Sequence, residues 1–518
     1  MPAQLTTRAQ VNGYRFLLRR LDHAMVRRDV RMLHDPMRSQ SRSLIIGVVL
    51  SILGIAGCTI LALIHPQGSV GSAKIIMGNS SGAMYVMVKD SSGNQTMHPV
   101  LNLASARLIT SSADSPTSVA DSKLTGYPQG PLLGIPGAPA ALPASAQGAH
   151  SDWTYCETVQ LTATGSADSG STPTTTIMAG APQLGAQTRT AVPGEAVLVQ
   201  HDGKDYLVYD GKRAEVDPTN TVVSRTLNLG SYTPRPTGPG LLDVAVPVPP
   251  LAPPTIPQAG QPGPGKLSNI PVGGVISVAP LEGGSAELYV VLADGVQKIG
   301  PFAAQMIRNA DSHGMSQIQA VTPDVLDGVP VVNTLAIGHF PTQIPKIISA
   351  EDDPVTCVAW DKSAGMATAQ TTDTSNPADK AAVSLLVGTK MPLPSQATPV
   401  QLATPSDGDH VDNVYLRPMS GEFVQTTGMD SGSLRRDGLF YISDNGIRYS
   451  IPDLATAQIL GLGATPHLAP WAIVGRLIPG PTLSQQAALV SYDTLPSGSG
   501  SPISTSSANA NPVSATGN

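Results

Sequence analysis

Charge and aromatic character are both scarce in this chain of 518 residues: Asp, Glu, Lys and Arg make up 13 %, and Phe, Trp and Tyr 4 %. Hydrophobic residues nonetheless reach 41 %, so the chain is neither disordered throughout nor a polytopic membrane protein. Helix-compatible composition is lacking as well. With 51 Gly and 47 Pro, a helical bundle or coiled coil is excluded and turn-rich β structure is expected. The length suits about three domain-sized units. The formal net charge of -6 hides an asymmetry, because residues 1–43 hold nine Arg, three Asp and no Lys. The acidic remainder excludes a nucleic-acid role for the bulk of the protein.

Long apolar runs are absent except for one. Leu44 to Ile64 carries no charge over 21 residues, the length a helix needs to cross the hydrocarbon core. Arg38 and Arg42 precede it, while the far side offers only His65 and then Lys74, so the positive-inside rule places the N-terminus in the cytoplasm and the bulk in the periplasm. The basic segment and the apolar run are both too long for a cleaved signal peptide. Gly47, Gly54, Gly57 and Cys58 permit close packing of the crossing helix. Ahead of it, Thr7 and Gln10 read as a capping box, and Tyr14, Leu17, Leu18, Leu21 and Met25 recur at helical spacing until Pro36. This basic amphipathic helix either rests on anionic lipid of the inner membrane or docks another subunit.

Only three cysteines are present. Cys58 falls within the crossing, which leaves Cys156 and Cys357 as the one exported pair, in a compartment where a disulfide is the default. They sit in DWTYCETVQL and DPVTCVAW, which alternate like buried strands. A metal site would want more ligands nearby and a catalytic thiol a free partner.

Four segments share the order strand, glycine turn, strand, proline. Their turn and helix-start positions are Gly93 and Pro99, Gly211 and Pro218, Gly295 and Pro301, and Gly446 and Pro452. Gly after Asp or Asn suits a hairpin, and Pro at the first helical position would open the apolar run that follows. Each unit is therefore expected to be a small antiparallel sheet capped by a short helix, and stacked units imply an elongated body. Pro99 and Pro301 are 202 residues apart and the two exported cysteines 201, which suggests an internal duplication with the disulfide near a pseudo-twofold axis. The fold class is thus mainly β with short helices (α+β). The expected division is a cytoplasmic helix (1–43), a transmembrane helix (44–64), repeat 1 (72–112), core segment a (113–190), repeat 2 (194–230), a Pro-rich linker (231–270) and repeat 3 (271–310). Core segment b (311–415), repeat 4 (420–465), a C-terminal segment (466–496) and a disordered tail (497–518) complete it. Residues 234–264 hold eleven prolines and read as a semi-rigid polyproline connection rather than packed structure.

Candidate chemistry is thin. GQPGPGKLS imitates a phosphate loop through Gly260, Gly265 and Lys266, but Leu267 stands where Ser or Thr must hold magnesium and no strand precedes it. Gly78 to Gly82 matches a nucleophile elbow around Ser80, yet lies between strands with no helix behind it, as a polar turn would. Asp407, Asp409, His410 and Asp412 lack calcium-loop spacing, and the ten histidines form no paired ligand motif. No catalytic residue, metal or cofactor is expected.

GYPQGPLLGIPGAP, DWTYCE, the hairpins, ISDNGIRYSIP, and APWAI followed by PGPTLSQQAAL together resemble the EccB family, the single-pass membrane subunit of mycobacterial type VII (ESX) secretion systems. The resemblance runs from Thr6 to about Pro496. It implies a periplasmic blade of four repeats around a disulfide-bonded core, and a hexameric channel assembly with the EccC ATPase, EccD, EccE and other EccB copies. Cys156 and Cys357 match the family's core cysteines. The implied role is structural. A peptidoglycan-binding module and an ATP-hydrolysing subunit are the alternatives, and overall similarity leans to the iron-acquisition-linked paralogue.

Overall fold

A computed structural model describes residues 7–31, 36–64, 70–71, 73–89, 93–279, 285–362, 380–403 and 410–494. They divide into two compact units, one of residues 1–73 with 78–81 and 117–126, the other of the remainder.

In the first unit, helix Arg8–Arg27 starts where the Thr7 N–H donates to Gln10 Oε1 at 2.9 Å. It stops well short of Pro36, because Arg28 turns into the left-handed region at φ 56° and its N–H closes onto the Ala24 carbonyl. Pro36 instead begins the second helix, Pro36–Ile64, where its missing N–H costs nothing. Within that helix Ser41–Leu61 is long and apolar enough to cross a membrane, and none of it is covered by protein. Its hydroxyls are satisfied inside the helix, Ser51 Oγ donating to the Gly47 carbonyl and Thr59 Oγ1 to that of Ile55. In the same unit the Asp121 carboxylate accepts from the Ser81 N–H at 3.0 Å, which makes the Gly78–Gly82 segment a pinned polar turn.

The chain runs four times through three antiparallel strands and a short helix. The strands are Ile75–Gly78, Met84–Lys89 and Gln95–Pro99; Glu195–His201, Lys204–Tyr209 and Lys212–Val216; Val275–Val278, Glu287–Leu292 and Gly295–Ile299; and Gly421–Thr427, Leu439–Ser443 and Ile447–Ile451. After the second, third and fourth helices the chain returns parallel to the first strand of its own sheet, as Arg235–Pro236, Gln319–Val321 and His467–Pro470. Asp210 and Gly211 both take positive φ, 46° and 72°, as a two-residue hairpin turn requires. Gly93 (φ 85°) and Gly446 (φ 81°) also use this freedom, whereas Gly295 is needed because a Cβ there would strike the Pro330 carbonyl.

Proline opens one of the four helices, not all. Pro301 is at the first position of Pro301–Ala310. Pro99 instead ends a strand, and Pro218 and Pro452 precede Asn220 and Asp453, whose side chains cap the helices by accepting from backbone N–H groups. Asn102 does the same for Leu103–Thr110. An Asx cap supplies the acceptor that the first free N–H groups need, a gain proline cannot provide.

At the centre lies a seven-stranded sheet, its middle pair the antiparallel strands Ser151–Thr158 and Val355–Lys362. Thr174–Ala179 flanks the first and Ala382–Gly388 the second. The register sets like against like: Asp152 faces Asp361, Trp153 faces Trp360 and Cys156 faces Cys357. Further out the two sides differ, since Asn413–Tyr415 joins parallel and Thr188–Thr190 antiparallel.

The Pro-rich connection is packed, contrary to its composition. Pro239–Val244 is a helix with Leu241, Leu242 and Val244 buried, and Val246–Pro247 pairs parallel with the edge of Lys212–Val216. Val248 and Leu251 continue along that edge, donating to the Arg213 and Glu215 carbonyls. Residues between the prolines keep the N–H groups that an edge can use, so proline density does not prevent docking.

Candidate functional site

Cys156 and Cys357 form a disulfide of 2.03 Å, both fully buried among Val355, Ala359 and Leu386. On the strand's other face Trp153, Tyr155, Val358 and Trp360 enter the largest core. Strand alternation explains the split, because successive side chains point to opposite faces.

Next to the disulfide is a buried polar clamp. The Glu157 carboxylate, 2 % exposed, accepts from Thr237 Oγ1 at 2.6 Å, the Tyr155 hydroxyl at 3.1 Å, and the Gly238 and Leu241 N–H groups. Arg235, equally buried, donates to the Asp353 and Ile348 carbonyls and to Thr356 Oγ1, and Thr356 is the residue paired with Glu157 across the sheet. The clamp thus fastens residues 235–241 to both strands that carry the disulfide. Gly240 is required here, since any Cβ would collide with the Tyr155 ring and hydroxyl. Burial pushes the Glu157 carboxyl up to about 7 against the pull of its donors, and pulls Arg235 down to about 10.

This has a pH consequence. The Glu157 carboxyl is raised above its unfolded value of about 4.3, so the folded state holds a proton that the unfolded state releases. Stability is therefore fully present on the acid side and lost as pH rises from about 4.5 through 7, by up to ~3 kcal/mol. Differential scanning fluorimetry should show Tm rising as pH falls from 8 to about 5.5, and Glu157→Gln should flatten the profile. A wild-type Tm that falls over this interval contradicts the assignment.

The stripe Tyr14, Leu17, Leu18, Leu21 and Met25 is exposed, between 44 % and 71 %, and Phe16 and Val26 extend the apolar surface beyond it. Leu44, Gly47, Gly54 and Cys58 lie on the apolar helix, with Leu44 and Cys58 exposed; Ile64 ends that helix. Lys266 is engaged by a distant segment, donating to the Asp324 carbonyl and pairing with Asp327 at 3.5 Å, about 60 residues further along the chain. Asp412 accepts from the Thr175 N–H and Oγ1 at 2.8 Å, a strand-end contact; Asp407 and Asp409 lie outside the described residues, as does the tail 497–518. Among the described residues no group of three or more His, Cys, Asp or Glu could hold a metal ion. Sequence reasoning missed the clamp, whose sole signal was Glu157, an acid in the middle of the run DWTYCETVQL.

The chain matches the family described as type VII secretion system ESX-1, transport TM domain B, over residues 3–497. It is 36 % identical over 502 residues to the ESX-3 secretion system ATPase EccB3 of Mycolicibacterium smegmatis, covering 94 % of this chain and 91 % of that protein. Among solved structures it resembles a chain of an intact ESX-5 inner membrane complex, with TM-score 0.69, 32 % identity, and coverage of 98 % of this chain and 99 % of that one. It also resembles the EccB3 dimer from the ESX-3 core complex, with TM-score 0.66, 33 % identity, and coverage of 81 % and 100 %. One apolar helix and a disulfide-centred β body define a membrane-anchored secretion subunit with a periplasmic domain. The chain belongs to the EccB family of type VII secretion proteins.

Proposed function

We propose that this protein is a scaffold of a type VII membrane complex, with its N-terminus in the cytoplasm, its β body in the periplasm, and its N-terminal helix docked against the EccC-type ATPase. EccD, EccE and further EccB copies complete the surroundings. The observation that carries this reading is the exposed apolar stripe on Arg8–Arg27, a surface a soluble helix does not keep uncovered, on the basic side of an uncovered apolar helix. The whole-length likeness to a chain of an intact ESX-5 inner membrane complex supports it.

The name of the EccB3 relative includes ATPase. A structural role is favoured for this chain because Lys266, the one lysine of its phosphate-loop imitation, is tied to Asp324 and Asp327 of a distant segment. Topology is tested by labelling. A thiol reagent that cannot cross the inner membrane is expected to modify Ala73→Cys and to leave Asn12→Cys untouched in intact cells. The reverse pattern would overturn the scaffold reading.

A further inference from the structure

A cavity of 340 Å³ lies between the Gln147–Asp152 segment, the end of strand Thr174–Ala179 and the start of strand Gly421–Thr427. Two of its lining residues are acids nine-tenths or more buried, Asp152 at 5 % and Glu422 at 2 % exposure. Glu422 is supplied with donors by Ser145, Gln147 and the Ala146 backbone. Asp152 has no such set: its Oδ1 is buried without a hydrogen-bond partner, and its side-chain hydrogen bond is to another acid, Asp361, which faces it across the strand pair. The basic residues that line the cavity, His150 and Arg417, are both exposed. Met178 and Tyr415 contribute an apolar wall.

A buried carboxylate oxygen that lacks a donor is expensive, and the expense is removed by a group that brings both N–H donors and positive charge. The set is too small for a metal, since no three acidic or His ligands converge among the described residues. The apolar wall asks for an aliphatic stem. We propose that this cavity binds a primary ammonium group on an aliphatic stem, as a lysine side chain presents it, with Asp152 and Glu422 as the anionic end and Met178 as the wall. Burial, and then the Asp361 charge, push Asp152 up to about 6, so occupancy weakens as pH falls below that value.

The test uses the full chain in detergent and n-butylammonium as probe, followed by saturation-transfer NMR. At pH 7.5 the probe is expected to give a saturable signal that n-butanol, the uncharged isostere, does not. Asp152→Asn should weaken binding roughly tenfold or more, through loss of a charge-assisted hydrogen bond. Ala181→Trp, at the exposed rim, should abolish it by filling the mouth, and decides the matter if Asp152→Asn fails to fold. Equal signals from n-butanol, or unchanged binding in folded Asp152→Asn or Ala181→Trp, would overturn the proposal.

Discussion

Replacing Cys156 and Cys357 together by alanine is expected to lower the unfolding free energy of the β unit by up to ~5 kcal/mol, because the bridge closes a separation of 201 residues. In the chain-entropy account the cross-link removes conformations from the unfolded ensemble, and the gain grows only with the logarithm of loop length. Packing adds little to the loss, since alanine keeps the apolar contacts with Val355, Ala359 and Leu386 apart from the sulfur atoms. Denaturant titration of the full chain, with and without dithiothreitol, is the measurement. Reductant should destabilise wild type and leave the double variant unchanged. A loss below ~1 kcal/mol in wild type would mean that the sheet contacts alone hold the two strands, and that the bridge does little for equilibrium stability.

The features legible in the sequence were local. Twenty-one uncharged residues specify a crossing helix by length and polarity alone, and Asp210–Gly211 specifies a tight turn through its positive φ values. Cys156 and Cys357 could be paired because no other exported cysteine existed. What failed depended on contacts between distant segments. Proline density in residues 234–264 argued for an exposed spacer, yet Leu241, Leu242 and Leu251 are buried because the edge of Lys212–Val216 and the face of the central sheet receive them. Glu157, Thr237 and Thr356 meet only once the register of the central strands is set, so no spacing rule could have found the clamp. Asn220 and Asp453, not the prolines beside them, cap their helices, because a side-chain acceptor serves free N–H groups that proline merely lacks. The matched pairs Asp152–Asp361, Trp153–Trp360 and Cys156–Cys357 are the strongest support for reading the two core strands as products of an internal duplication, which we keep as a proposal.

Substituting Leu17, Leu18 and Leu21 by aspartate is expected to stop export and deplete the ATPase subunit from the purified complex, while the β body keeps its fold. All three side chains are at least 44 % exposed, so a polar replacement exposes no core. What it removes is the apolar face that a partner would cover. Burying three leucines at such an interface contributes roughly 1.5–3 kcal/mol each, and burying three carboxylates in their place adds a desolvation cost, so the association is lost rather than weakened. Lipid binding predicts something different: a helix resting on anionic headgroups by its arginines would lose membrane contact, yet the crossing helix would still hold the chain in place and the complex would assemble at normal yield. Co-purification separates the two, with Cys156–Cys357 formation reporting that the body has folded. Lys266→Ala and Ser80→Ala should leave both assembly and export intact, because Lys266 links two segments of the body and Ser80 lies in a turn. If either of these abolishes export from a complex that assembles at normal yield, the scaffold reading fails and the function must reside in chemistry at that turn.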